Sequence, residues 1–177
     1  MSTLIKNIIR FALLILVQVF VLDRIHLHYM VTPYIYFLFI LWMPFKLNRP
    51  AQMIMAFALG FALDSFRHHP GFHAAACVLI AYLRPFLINI LIPQQGADNN
   101  YEEPSARSMG GFMPYMLYAG VLTLIHHSWL FFLEAWQFAN FWYFIIKTLT
   151  STAISLLLIV IVELIFSRKQ SFRTNTV

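Results

Sequence analysis

Charge is what this sequence has least of. Of 177 residues, seven are acidic and twelve are Lys or Arg, so 11% are charged while 60% are apolar. A soluble domain is about 25% charged and about 45–50% apolar. A chain this short has too little interior to hide such an excess. That argues against a water-soluble enzyme, a disordered regulator and a nucleic-acid-binding domain. Cysteine is almost missing as well. Cys77 stands alone, so no internal disulfide can form. Inside an apolar run it reads as a packing thiol rather than a reactive one. There is no GxxxxGK, HExxH, GxSxG or paired-cysteine motif. Enzymatic chemistry and a cofactor therefore have no positive support. Also lacking are ten-residue stretches of alternating apolar and polar residues, the mark of a membrane β-barrel.

What is present is long apolar runs. Apart from Ser155, Ile154 to Val162 is apolar on every face. In lipid, backbone groups are then satisfied within helices. The chain reads as all-α, a polytopic membrane protein forming a single integral domain over 1–177. About six transmembrane helices are predicted, at 4–22, 29–45, 51–66, 72–92, 112–133 and 141–166. A polar loop over 93–111 and a basic tail over 167–177 complete it.

The basic residues set an orientation. With a cytoplasmic N-terminus, Lys6, Arg10, Lys46, Arg49, Arg107, Arg168, Lys169 and Arg173 fall inside, eight of the twelve. Arg24 and Arg67 fall outside, and Arg84 and Lys147 lie within helices. This is a positive-inside pattern with both termini cytoplasmic, as in a bacterial inner-membrane protein. Trp129, Trp136, Trp142 and Tyr143 bracket the last outer turn as an aromatic belt would. All seven histidines fall on or near the outer side.

Ionisable groups inside spans are the candidates for function. Asp64 sits at the outer end of the third helix. It either caps the next turn or pairs with Arg67, or it forms a buried lock with another element or a partner. Arg84, before Pro85, can snorkel to the cytoplasmic side or support packing. Glu134 and Lys147 can form a salt bridge. Lys147, Ser151 and Ser155 share one face of the last helix with Thr148 and Thr152 nearby, a polar stripe that suits helix–helix adhesion. Glu163 reads as a solvated helix-end carboxylate, and Glu102-Glu103 lie in a flexible loop. Gly60, in Ala56-x-x-x-Gly60, lets helices approach closely, and Gly71 follows Pro70 at a turn. The histidines read as interfacial polar groups or a pH-sensitive contact surface. No metal site is expected, because Pro70-Gly71 interrupts the helical spacing of His69 and His73.

The order of local patterns resembles the rod shape-determining protein MreD family. It lies in Leu16-Val17-Gln18-Val19-Phe20, then Thr32-Pro33-Tyr34-Ile35-Tyr36-Phe37-Leu38, Trp42-Met43-Pro44 and Leu47-Asn48-Arg49-Pro50. Ala58-Leu59-Gly60-Phe61-Ala62-Leu63-Asp64, Pro70-Gly71-Phe72-His73-Ala74, Ile80-Ala81-Tyr82-Leu83 and Trp129 to Glu134 continue it. The match covers about residues 10–92, and 125–170 more loosely; the long segment after Ile92 departs from it. The resemblance implies a non-enzymatic component of the bacterial elongation machinery that maintains rod cell shape. Its partners would be a bitopic MreC-like protein, an MreB-like filament and transmembrane peptidoglycan synthases, with membrane lipid around it and no nucleic acid. Self-association into a homo-oligomer is left open. It also implies a fold similar to the substrate-binding subunits of vitamin transporters. The alternative function is accordingly a small-solute-binding membrane subunit of an uptake transporter.

Overall fold

A computed structural model describes residues 3–25, 31–91, 103–135 and 141–167. Every regular element among them is helical: α1 (Thr3–Phe20), the single turn α2 (Leu38–Leu41), α3 (Arg49–Arg67), α4 (Phe72–Leu91), α5 (Phe112–Glu134) and α6 (Phe141–Ser167). A 3-10 turn, Leu22–Arg24, follows α1. Helices α3 to α6 pack in sequence, each on the next, and α1 lies against α3 and α2. Four segments are long and apolar enough to cross a membrane: Ile5–Arg24, Phe72–Leu91, Phe112–Glu134 and Phe141–Phe166. Helix α3 has the length, at 19 residues, but is less apolar.

The distribution of side chains is inverted relative to a soluble protein. Ile8, Leu13, Phe20, Phe57, Phe61, Ile90, Leu157 and Ile165 are exposed, whereas Gln18, Asp64, His73, Arg84, His126, His127, Ser151 and Ser155 are buried. An apolar exterior around a polar interior is what a hydrocarbon solvent selects, since only the interior offers hydrogen-bond partners.

The second predicted helix, 29–45, is not there. Residues 32–35 are irregular, Tyr36 and Phe37 turn, and α2 supplies one helical turn before the chain leaves. Residues 29 and 30 lie outside the described set. Thr32 precedes Pro33, and a residue before proline is pushed away from the helical region. The span adds a second reason. The Thr32 N–H donates to Ser151 Oγ (3.0 Å), while Trp42 packs on Phe166, ring centroids 5.7 Å apart. Along α6 those two positions are separated by about 22 Å, whereas ten helical residues rise only about 15 Å. Extended backbone, at about 3.3 Å per residue, covers the difference. The segment is buried from Tyr34 to Met43, so protein rather than lipid surrounds it.

The loop expectation also needs correction over 103–111. Glu103, Ser105, Ser108 and Met109 are buried there, and Ser105 and Ser108 bond to each other. Glu103 is not a mobile loop carboxylate: it accepts from Lys6 Nζ (2.9 Å) and Arg10 Nη1 (2.7 Å) on α1. Glu163 is buried rather than solvated and accepts from the Ala106 N–H at 3.0 Å. The 92–102 part of the loop and the 168–177 part of the tail lie outside the described residues.

Gly60 and the start of α4 form the tightest crossing. A Cβ at Gly60 would lie 2.5 Å from Ala74 Cα, Ala74 N and His73 O, all backbone atoms that cannot rotate away. The chain reverses between α3 and α4 through His68 in the left-handed region (φ 55°) and Gly71 (φ +95°). Replacement Gly60→Ala is expected to separate α3 from α4 and cost about 1–3 kcal/mol. Gly120→Ala, which meets only Leu156 Cδ1 at 3.9 Å, should be neutral. Thermal unfolding in detergent of the two variants beside the parent checks this.

Candidate functional site

The polar interior is organised around residues 31–43. Pro33 has no N–H, and its neighbours are served by side chains. Thr32 N–H donates to Ser151 Oγ, Tyr34 N–H to Ser155 Oγ (3.0 Å) and Ile35 N–H to Gln18 Oε1 (2.9 Å). The Gln18 amide nitrogen donates in turn to Pro33 O (3.2 Å) and to Asp23 Oδ1 (2.7 Å). One glutamine of α1 thus satisfies both a donor and an acceptor of the irregular segment. Ser151 and Ser155, four residues apart on α6, present hydroxyls on one face.

At the other end of the segment sits Arg84. Its guanidinium donates to Met43 O, to Gln52 Oε1 (3.0 Å) and, through Nε, to Tyr118 Oη (3.0 Å). Tyr118 then donates to Leu41 O at 2.9 Å. The carbonyl of Leu41, the last residue of α2, is therefore capped by a phenol, and the carbonyl of Met43, two residues further on, by a cation. Arg84 does not snorkel: it is 1% exposed, the largest fully buried side chain, and its described partners are all uncharged.

Near the start of the segment a second cluster joins three elements. Arg67 pairs with Asp23 through Nη2 and through Nε (2.9 Å), and donates to Tyr34 Oη at 2.8 Å. Asp64 does not pair with Arg67. Its carboxylate accepts from the backbone N–H groups of His73 (3.1 Å) and Ala74 (2.9 Å), capping α4, and from His73 Nδ1 at 2.8 Å. A guanidinium only donates, so Arg67 Nη1, 3.3 Å from His73 Nε2, makes that nitrogen the acceptor and places the ring proton on Nδ1. The capping and lock readings of Asp64 thus both describe it, with His73 as the partner.

Among the described histidines, His68 is exposed and His69 partly exposed, but the other three are not on a surface. His73, His126 and His127 are fully buried. His126 Nε2 lies 2.8 Å from the Tyr36 hydroxyl and its ring stacks on Phe37, and His127 Nε2 lies 3.2 Å from Ser155 Oγ. Adjacent positions on a helix diverge by about 100°. His126 and His127 therefore reach different partners around the same segment. His26 and His28 lie outside the described residues.

Lys147 and Glu134 do form a salt bridge, at 3.1 Å, with the ammonium 4.3 Å from the Phe131 ring centre. With Ala135, Tyr143 and Phe144 they line a cleft of about 220 Å³ between the ends of α5 and α6. They do not join the Arg84 or Asp64 clusters. Gly60 and Gly71 act through backbone geometry, as above. Gln18, Tyr34, Gln52 and Tyr118 were not singled out. A glutamine inside an apolar run was the available signal for Gln18.

Comparisons with family models, with curated proteins and with solved structures found no match to this chain.

Two variants test the arrangement. Gln18→Ala strands a buried N–H and a buried carbonyl, and Ser155→Ala strands the Tyr34 N–H and His127 Nε2, so losses of about 1–3 kcal/mol per stranded group follow. Thr150→Ala, at an exposed hydroxyl bonded to its own helix, should leave unfolding unchanged. Equilibrium unfolding in mixed micelles measures all three.

Proposed function

We propose that this chain is a non-enzymatic inner-membrane scaffold of the MreD type, working in the bacterial elongation machinery. One observation carries the reading. Each of the five described carboxylates is engaged inside the fold: Asp23 with Arg67, Asp64 with His73, Glu103 with Lys6 and Arg10, Glu134 with Lys147 and Glu163 with the Ala106 N–H. Polar chemistry is spent on holding one shape, while the outward faces remain apolar. That supports work by association within the bilayer rather than by turnover.

The orientation belongs to the same proposal. Lys6, Arg10, Glu103, Glu163, Trp42 and Phe166 are brought together at one end of the molecule. With the positive-inside pattern, that end is cytoplasmic and both termini are inside. Segment 31–43 then counts as a crossing without being a helix. An MreC-like single-span protein docks on the exposed apolar helix faces. An MreB-like filament and peptidoglycan synthases meet the assembly from either side. The uptake-subunit alternative is less well supported. The cleft beside Lys147, at about 220 Å³, is smaller than the roughly 300–1,000 Å³ of ordinary small-molecule sites.

Depletion in a rod-shaped host is expected to give rounded cells without loss of solute uptake. The chain should also co-purify with the bitopic partner from membranes. Normal rods in a clean deletion would overturn the proposal.

A further inference from the structure

Of the buried polar atoms without a hydrogen-bond partner among the described residues, His69 Nδ1 is the one that sits beside a carboxylate and a second imidazole. The donor atoms of Asp64, His69 and His73 all lie within 4.8 Å of one another. Pro70-Gly71 was expected to keep the two histidines apart. Instead the left-handed His68 and Gly71 fold the turn back, and the His69 and His73 rings come within 5.3 Å, centroid to centroid. His69 Nδ1 is buried and has no hydrogen-bond partner. A buried ring nitrogen without a partner is costly unless something else fills its lone pair.

We propose that Asp64, His69 and His73 form a binding site for a divalent transition-metal ion of the zinc class. Two imidazoles and a carboxylate are a donor set that suits such ions, with a fourth position left for water. His69 is partly exposed, so the site has an entry from the α3–α4 turn. The Asp64 carboxylate is held in place by the N–H groups of His73 and Ala74, the kind of outer support that orients a ligand. Metal–ligand bonds of about 2.0–2.1 Å in a tetrahedron set donors about 3.3 Å apart. Rotation of the His69 side chain draws the widest pair together, and the ion takes the place of the proton that His73 Nδ1 now gives to Asp64. That proton moves to His73 Nε2, so Arg67 Nη1 leaves this nitrogen and keeps the Tyr34 hydroxyl. The ion would thus sit one residue from the clamp that joins α1 to α3.

The test is zinc binding by the full-length protein in nanodiscs, by calorimetry against a competing chelator, with cobalt(II) absorption as the spectroscopic readout. One zinc per chain, a raised melting temperature with zinc, and a nitrogen–oxygen cobalt spectrum are expected. His69→Ala should weaken zinc binding at least tenfold and abolish the rise in melting temperature with zinc, while the zinc-free protein stays folded, because His69 Nδ1 has no hydrogen-bond partner to lose. A double variant, His26→Ala with His28→Ala, should bind as the parent does. Absence of zinc binding, undiminished binding in His69→Ala, loss in the double variant, or a thiolate charge-transfer band from Cys77 would each overturn the proposal. If His69→Ala does not fold, His69→Phe fills the same turn without a donor and is read in the same way.

Discussion

A largely non-helical stretch of backbone passes through the apolar interior; beyond the turn bonds it makes within itself from Ile35 to Met43, the N–H groups of Thr32, Tyr34 and Ile35 and the carbonyls of Pro33, Leu41 and Met43 take partners from other elements. Five buried side chains answer that one requirement. Gln18 from α1, Ser151 and Ser155 from α6, Tyr118 from α5 and Arg84 from α4 each reach a specific backbone atom between Thr32 and Met43. In lipid, irregular backbone is tolerated only where protein encloses it. Four helices therefore surround this segment, and their polar residues face inward. The segment in turn fixes where those helices stand, since α1 and α6 are bonded to its beginning and α4 and α5 to its end.

The same logic explains Arg84. An isolated buried guanidinium is expensive. Three oxygen acceptors, Met43 O, Gln52 Oε1 and Tyr118 Oη, offset that cost, and removing any one leaves a buried donor unsatisfied. The second cluster, Asp23–Arg67–Tyr34 and Asp64–His73, anchors the segment's beginning to the α3–α4 turn. Gly60 makes this possible by letting α4 start against the α3 backbone. The two clusters and the glycine together tie the segment to α1, α3, α4 and α5, an arrangement that suits the proposed scaffold role.

Much of the fold was legible in sequence. Apolar run length placed α1, α3, α4, α5 and α6 within a residue or two. The spacing Ala56-x-x-x-Gly60 identified the close crossing, and Glu134–Lys147 was found as a pair. What was not legible has a common cause. The run over 29–45 is apolar enough to pass for a membrane helix, and periodicity does not separate a buried irregular strand from a buried helix. Its prolines and its Tyr-Ile-Tyr-Phe stretch, β-branched and aromatic, were the local signals against a helix. Reading it as a helix left no backbone groups in need of partners. Ser151 and Ser155 then read only as helix–helix adhesion, Gln18 has no evident task, and His126 and His127 read as interfacial groups. Glu103 and Glu163 were assigned to solvent for a similar reason: nothing local shows that a loop folds back over a helix end.

The central claim is that residues 32–35 cross the interior as non-helical backbone, bonded to side chains of α1 and α6. Backbone carbon chemical shifts of the isotope-labelled protein in lipid bilayers measure this directly, without altering a residue. The account predicts non-helical shifts for Thr32 to Ile35, helical shifts confined to the turn at Leu38–Leu41, and slow amide exchange at Tyr34 and Ile35. Continuous helical shifts from Thr32 through Phe45 would contradict it.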